Sequence, residues 1–368
     1  MQKATYLIYF LLCFFVGTQL SAQYVFTSDQ TLDCTDIKSQ DRTGTCWSFS
    51  TVSFLESELI RMGKPAMDLS EMYLVRTTYQ DKARNYVLRQ GKANFSQGGL
   101  SHDVMRAFRM GGIVPESVFS GKIDGASIHD HSEMEAVMKG MLDALVGRKK
   151  LGNKWPVALD CILETYMGNA PETFTYDGKD YTPQTYAKSL GINADDYVSL
   201  SSFSHHPFYE KFILEIPDNY SNGSYYNLPL DELQAIVDHA LAKGYTIAWD
   251  GDVGESGFSA SKGMAVVADA GFEGNLFENP INELQVNQQN RQEQFESYAT
   301  TDDHLMHLTG IAHDQNGTKY YITKNSWGEI SPYKGFLYMS SSYFRLKTVG
   351  VMVHKDAIPK DIAKKILP

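Results

Sequence analysis

The sequence predicts an α+β fold of two lobes with a cleft between them, and three observations predict it. Helical periodicity fills the first third of the chain, where Phe49, Val52, Leu55 and Leu59 share one stripe over 46–60. Strand patterns dominate from Tyr245 onward. The residue types able to do chemistry divide the same way: a cysteine opens the first helix, and a histidine and an asparagine sit on a late hairpin.

The elements follow in chain order. Lys3, the apolar run Tyr6–Val16 and the small residues Ser21-Ala22 read as a signal peptide over 1–22, cut before Gln23. The run is too short for a membrane span, and Cys13 inside it gives no lipoprotein site, so an exported chain without a membrane anchor is expected. Cys46–Ile60 is the buried central helix and Ser70–Tyr79 the second. Ser101–Met110 is the third, with Ser101 as N-cap and Gly111 as its stop. An aromatic-rich stretch, about 125–230, reads as an insertion packed on one lobe. Asp231–Lys243 carries Leu233, Ile236, Val237, Ala240 and Leu241 on one face and ends at Gly244. Strands at 303–311 and 318–323 flank the turn signal Asp314-Gln315-Asn316-Gly317 and form a hairpin. A helix-like Asp361–Leu367 ends the chain.

Composition limits the function classes. The chain has 368 residues, 43% hydrophobic and 21% charged, enough for a substantial core. A net charge of −11 and a pI near 5.4 argue against a nucleic-acid partner, and the basic pairs Lys149-Lys150 and Lys364-Lys365 read as solvated faces. No Cys-x-x-Cys or His-x-x-x-His occurs, so neither a metal nor a cofactor is expected. Asp250-Gly251-Asp252-Val253-Gly254-Glu255 departs from a calcium loop, and His205-His206-Pro207 reads as a surface turn. Beyond the leader there are three cysteines, Cys34, Cys46 and Cys161; an odd number leaves at least one free thiol and at most one bridge.

Gln40-Asp41-Arg42-Thr43-Gly44-Thr45-Cys46-Trp47-Ser48-Phe49 sets a thiol at a helix start, where unpaired N–H groups and the helix dipole favour a thiolate. Downstream, Asp303-His304 with Gly310, then Asn325-Ser326-Trp327-Gly328, supply a base and its partner. Together these motifs resemble the papain superfamily of cysteine peptidases. Leu69-Ser70-Glu71, the glycine pair Gly98-Gly99 and Lys334–Met339 resemble its second helix, its substrate-binding glycines and the strand after its asparagine. The resemblance is closer to the bleomycin hydrolase and aminopeptidase C branch. Cys46 and His304 lie 258 positions apart (304 − 46), Thr43 stands where papain has a disulfide cysteine, and Tyr245–Gly254 and Val353–Pro359 are similar to that branch.

The resemblance implies a papain-like fold, a helical lobe and a β-barrel-like lobe with the large insertion, over 23–368. It implies Cys46 as nucleophile, His304 as base, Asn325 orienting the imidazole, Trp327 shielding that bond, and Gln40 with the Cys46 N–H as oxyanion hole. Gly98, Gly99 and Asp252 are then substrate-binding, peptides are the substrates, and a homo-oligomer is implied. His307, three residues from His304, faces the other side of its strand. With Cys46 the nucleophile, Cys34–Cys161 is the one disulfide available. Only 23 residues (23 to 45) separate the cleavage point from Cys46, so an enzyme active once exported is expected. In that branch a C-terminal arm lies in the cleft; the tail after Ile358-Pro359 is shorter here, which keeps an endopeptidase open beside the aminopeptidase. A transglutaminase-like acyl transferase and a non-catalytic binding module are the alternatives from other classes; Asn325 with Gln40 argues against the first, and four intact catalytic positions against the second.

Overall fold

The computed structural model describes residues 23–367; the signal peptide expectation lies outside the described residues. The chain enters as strand β1 (Phe26–Thr31) and reaches helix α1 (Cys46–Arg61). α1 is buried all round, from Cys46 through Leu59, as a helix must be when elements cover every face. Helices α2 (Glu71–Leu88) and α3 (Ser101–Gly111) pack beside it. Ser70 caps α2 by accepting from the Tyr73 N–H at 3.0 Å, and α2 runs nine residues beyond the expected end. Leu100, not Ser101, is the N-cap of α3, because the Asp103 carboxylate reaches back to the Leu100 N–H at 2.9 Å. The stop is Gly112, whose φ of 77° favours glycine, rather than Gly111.

The middle of the chain divides between the lobes instead of packing on one. Helices α4 (Ser132–Val146) and α5 (Trp155–Met167), the hairpin β2 (Phe174–Tyr176) and β3 (Lys179–Tyr181), and helix α6 (Pro183–Leu190) join the helical core through Met134, Met138, Leu159, Leu163 and Tyr186. Strands β4 (Tyr197–Ser201), β5 (Lys211–Ile213) and β6 (Ser224–Asn227) extend the sheet of the other lobe. The link is β4 against the late strand β13 (Thr348–His354), Val351 opposite Leu200.

Helix α7 (Leu230–Ala242) buries its predicted apolar face in the second core. Strand β7 (Ile247–Gly251), the short pair β8 (Phe258–Ser259) and β9 (Met264–Ala265), and helix α8 (Gln288–Glu296) precede the predicted hairpin, β10 (His304–Asp314) and β11 (Lys319–Lys324). Asp314 tightens its turn by accepting from the Asn316 and Thr318 N–H groups, both at 2.9 Å. β12 (Phe336–Ser340), helix α9 (Ser341–Lys347), β13 and helix α10 (Lys360–Ile366) complete the chain. Among the described residues the large sheet is mixed and has 11 strands, ordered β5-β6-β4-β13-β7-β10-β11-β12-β9-β8 with β1 also on β10, so its pairing is an open path. α1 lies across β10 and β7 and brings the helical lobe onto the sheet. None of the helices described is long and apolar enough to cross a membrane.

Candidate active site

The start of α1 meets the start of β10. Thr45 is the N-cap of α1 but makes no side-chain cap bond, and the first turn carries no acidic residue. The Ser48 and Phe49 N–H groups donate to the Thr45 carbonyl, at 2.9 and 3.3 Å, and those of Cys46 and Trp47 have no partner inside the helix. The Cys46 thiol, 8% exposed, hydrogen-bonds with the backbone of Leu305, the residue after His304.

His304 and Asn325 come together across the hairpin, His304 Nε2 lying 2.8 Å from Asn325 Oδ1. The asparagine oxygen also accepts from the Ser326 N–H at 2.7 Å, which fixes the amide so that oxygen faces the ring. Nε2 is thus the donor, and Nδ1 is the nitrogen able to exchange a proton with a thiol. Trp327 lies over the imidazole with ring centroids 4.4 Å apart, and Phe258 meets Trp327 edge-on at 6.0 Å. Gln40 is locked to the same loop: its N–H donates to the Ser326 carbonyl at 2.9 Å, and its Oε1 accepts from Ser326 Oγ at 2.7 Å. One N–H of its amide goes to the Thr43 carbonyl at 2.7 Å, and the second remains for a ligand.

Burial dominates the electrostatics. It pushes the Cys46 thiol up to about 12, opposed by the Leu305 backbone bond and reinforced by the Asp302, Asp250 and Asp218 carboxylates. It pushes His304 down to about 4 against the Asn325 bond and the Asp303 carboxylate. Each charge taken singly is therefore disfavoured by burial.

Of the expected substrate-binding residues, Gly99 lies against the Trp47 ring, where a Cβ would sit 3.0 Å from ring carbons. Gly98 lies under Asp218; a Cβ there would fall 1.7 Å from Asp218 Oδ2. Asp252 ties loops together: Oδ1 accepts from the Gly254 N–H at 2.8 Å and Oδ2 from the Thr301 N–H at 2.9 Å, so both oxygens serve the chain itself. His307 is fully buried on the far side of β10, its Nδ1 3.0 Å from Ser53 Oγ. Cys34, Cys46 and Cys161 are all free thiols, so the Cys34–Cys161 pair is not a disulfide. His205 and His206 both meet Glu215, at 3.2 and 2.6 Å, and Gln292 Nε2 lies 2.9 Å from His205 Nδ1.

Sequence reasoning missed three carboxyl groups whose fields act on the thiol, those of Asp218, Asp250 and Asp302. The doublet Asp302-Asp303 before His304 was the available signal. The other two converge only through the register of β7 on β10, which sets Asp250 opposite Leu305, and through the loop that carries Asp218 over Gly98.

Comparison with known proteins agrees with this geometry. Residues 161–367 match the Peptidase C1-like family and residues 23–142 match the papain family of cysteine proteases. Aminopeptidase G of Lactobacillus delbrueckii subsp. lactis is 24% identical, over 92% of this chain and 84% of its own. Human bleomycin hydrolase is 21% identical, over 95% and 87%. The crystal structure of pepw from Lactobacillus rhamnosis superposes with a TM-score of 0.73 at 20% identity, covering 92% of this chain and 84% of that one, and so shares the fold. The chain belongs to the Peptidase C1-like family, in the aminopeptidase C and bleomycin hydrolase branch of the papain superfamily, and is a cysteine-type peptidase.

Proposed function

We propose that the protein is an exported aminopeptidase in which Cys46, His304, Asn325 and Gln40 form the catalytic group. The observation that carries the reading is the 2.8 Å bond between His304 and Asn325, roofed by Trp327 and adjoining the helix start that bears Cys46. His304 Nδ1 takes the thiol proton and Sγ attacks the amide carbonyl carbon. The carbonyl π pair moves to oxygen, which is held by the Cys46 N–H and the free Gln40 amide N–H. Collapse of the tetrahedral adduct expels the amine, which takes the proton from the imidazolium. Water, deprotonated by His304, then cleaves the thioester and restores the thiol. Asn325 keeps the ring oriented through both proton transfers.

Release of single amino-terminal residues is supported by the names of the relatives, aminopeptidases C, G and W and bleomycin hydrolase. Hydrolysis of an aminoacyl coumarylamide with a free amine, set against its N-acetylated form and with Cys46→Ala as control, tests the activity. Equal rates on both forms would remove the exopeptidase reading, and an active Cys46→Ala would remove the nucleophile. Export rests on the leader-like residues 1–22, peptide substrates on the chemistry, and the homo-oligomer on the family likeness. Fractionation of the native host and light scattering test the first and last of these.

A further inference from the structure

The fields of Asp218, Asp250 and Asp302 all act on the Cys46 thiol, and the pairing of β7 with β10 sets Asp250 opposite Leu305, whose backbone bonds that thiol. They also act on one another: Asp302 and Asp218 both bear on Asp250, and Asp218 bears on Asp302. Asp250 is 4% exposed, and no donor among the described residues reaches either of its oxygens. Its neighbour is another carboxyl, that of Asp302. Asp218 is held from one side only, its Oδ1 accepting from Asn94 Nδ2 at 2.8 Å while Oδ2 faces Gly98. Lys82, the cation that interacts with Asp218 and Asp302, donates to the Ser96 and Gly98 carbonyls. A buried carboxyl such as Asp250, set beside other carboxyls and without a counter-ion, must hold a proton or take a cation.

Resting on the aminopeptidase reading, we propose that Asp218, Asp250 and Asp302 form an ammonium seat that binds the free α-amine of the substrate's first residue. The fit is chemical as well as electrostatic. An alkylammonium has three N–H donors and no acceptor, which matches the Asp250 oxygens, whose one close polar neighbour is another carboxyl. In an amino-terminal residue the amine nitrogen lies only about 2.5 Å from the scissile carbonyl carbon, two bonds away, so its seat has to be next to the nucleophile. Asp250 meets that condition through its place opposite Leu305, whose backbone bonds the Cys46 thiol, and Asp302 adjoins Asp250. Asp218, lying on Gly98 and fixed by Asn94, also covers the glycine face over which a longer amino-terminal extension would run. The seat therefore admits an amine and closes the cleft behind it. A lysine side chain carries the same group, and the test separates the two sources.

The experiment uses the full chain and three coumarylamides: a free-amine leucyl, an N-acetyl-leucyl and an N-acetyl-lysyl substrate. Wild type should prefer the first strongly. Asp218→Asn, Asp250→Asn and Asp302→Asn should each raise its KM about 10- to 100-fold, the range of a lost charged contact, and draw the free-to-acetylated ratio towards one. Leucinamide, not N-acetyl-leucinamide, should protect wild-type Cys46 from iodoacetamide, a readout independent of whether the buried variants fold. A ratio unchanged in variants that remain active, or equal protection by the two amides, overturns the seat while leaving the peptidase intact. Selective loss of the N-acetyl-lysyl substrate assigns the carboxyls to a side chain and also overturns it. Equal wild-type rates on free and acetylated leucyl substrates instead defeat the aminopeptidase reading on which the seat rests.

Discussion

Replacing Asn325 by alanine removes the bond that holds the His304 ring. The bond is 2.8 Å long, both residues are buried, and Trp327 excludes water from it. When His304 carries the proton the bond is charge-assisted, and such a bond contributes about 1.5–3 kcal/mol. Lost from the transition state, this corresponds to roughly a 10- to 150-fold fall in kcat/KM. The same substitution strips the 2.7 Å acceptor from the Ser326 N–H, so thermal denaturation has to be followed alongside turnover. Asn325→Asp separates orientation from mere packing. It keeps the acceptor, should retain most of the rate at neutral pH, and adds a carboxylate that favours the imidazolium. Loss of the imidazolium proton then occurs at higher pH, so the alkaline limb of the rate profile moves up. The assay is kcat/KM on the free-amine coumarylamide from pH 4 to 10. An Asn325→Ala enzyme that is folded and within threefold of wild type would refute the orienting role, as would an alkaline limb unmoved in Asn325→Asp.

Three further predictions follow from particular contacts. Gln40→Glu keeps the shape and the Ser326 bond but removes the free amide donor; kcat should fall about 100- to 1,000-fold while Cys46 still reacts with iodoacetamide, and a wild-type kcat would exclude Gln40 from the oxyanion hole. Gly98→Ala sets a methyl where Asp218 Oδ2 now lies, so the loop has to shift; KM should rise at least fivefold, and unaltered kinetics would mean that this glycine face is not used. Burial pushes Glu283 from 4.5 to about 7, against its bond from Ser340. Its folded-state pKa is above the unfolded one, so its penalty is absent below pH about 4.5, grows as pH rises to about 7 and is complete above that. Glu283→Gln should therefore gain about 1–3 kcal/mol over wild type at pH 8 and nothing at pH 4 in urea titrations, and a pH-independent difference would count against it.

The residues of the candidate site were legible because each announces itself within a few neighbours in the chain: Gln40 and Gly44 before Cys46, Asp303 before His304, Ser326-Trp327 after Asn325. Periodicity likewise marked α1, α7 and the β10–β11 hairpin, where side chains repeat with the geometry of one element. What escaped depends on contacts distant in sequence. Nothing local tells Leu200 that it will pair with Val351, so the division of the middle segment between the lobes could not be seen. Asp250 reads only as part of an acidic, glycine-containing run until the register of β7 sets it opposite Leu305. The α3 cap shifted by one residue because Asp103 competes with Ser101, and both patterns are acceptable N-terminal signals.

The burial of α1 on all sides has a bearing on how the enzyme ages. Beyond its first turn its amides can exchange with solvent only when the surrounding core opens, so the helix that bears Cys46 should be among the slowly exchanging segments. A peptidase lives among peptidases, its own copies included. Clipping of an exposed loop leaves α1 sheltered, whereas displacing the helix that carries Cys46 requires the collapse of the core packed around it. The population should therefore lose activity molecule by molecule, in step with global unfolding, without accumulating softened forms that still turn over substrate.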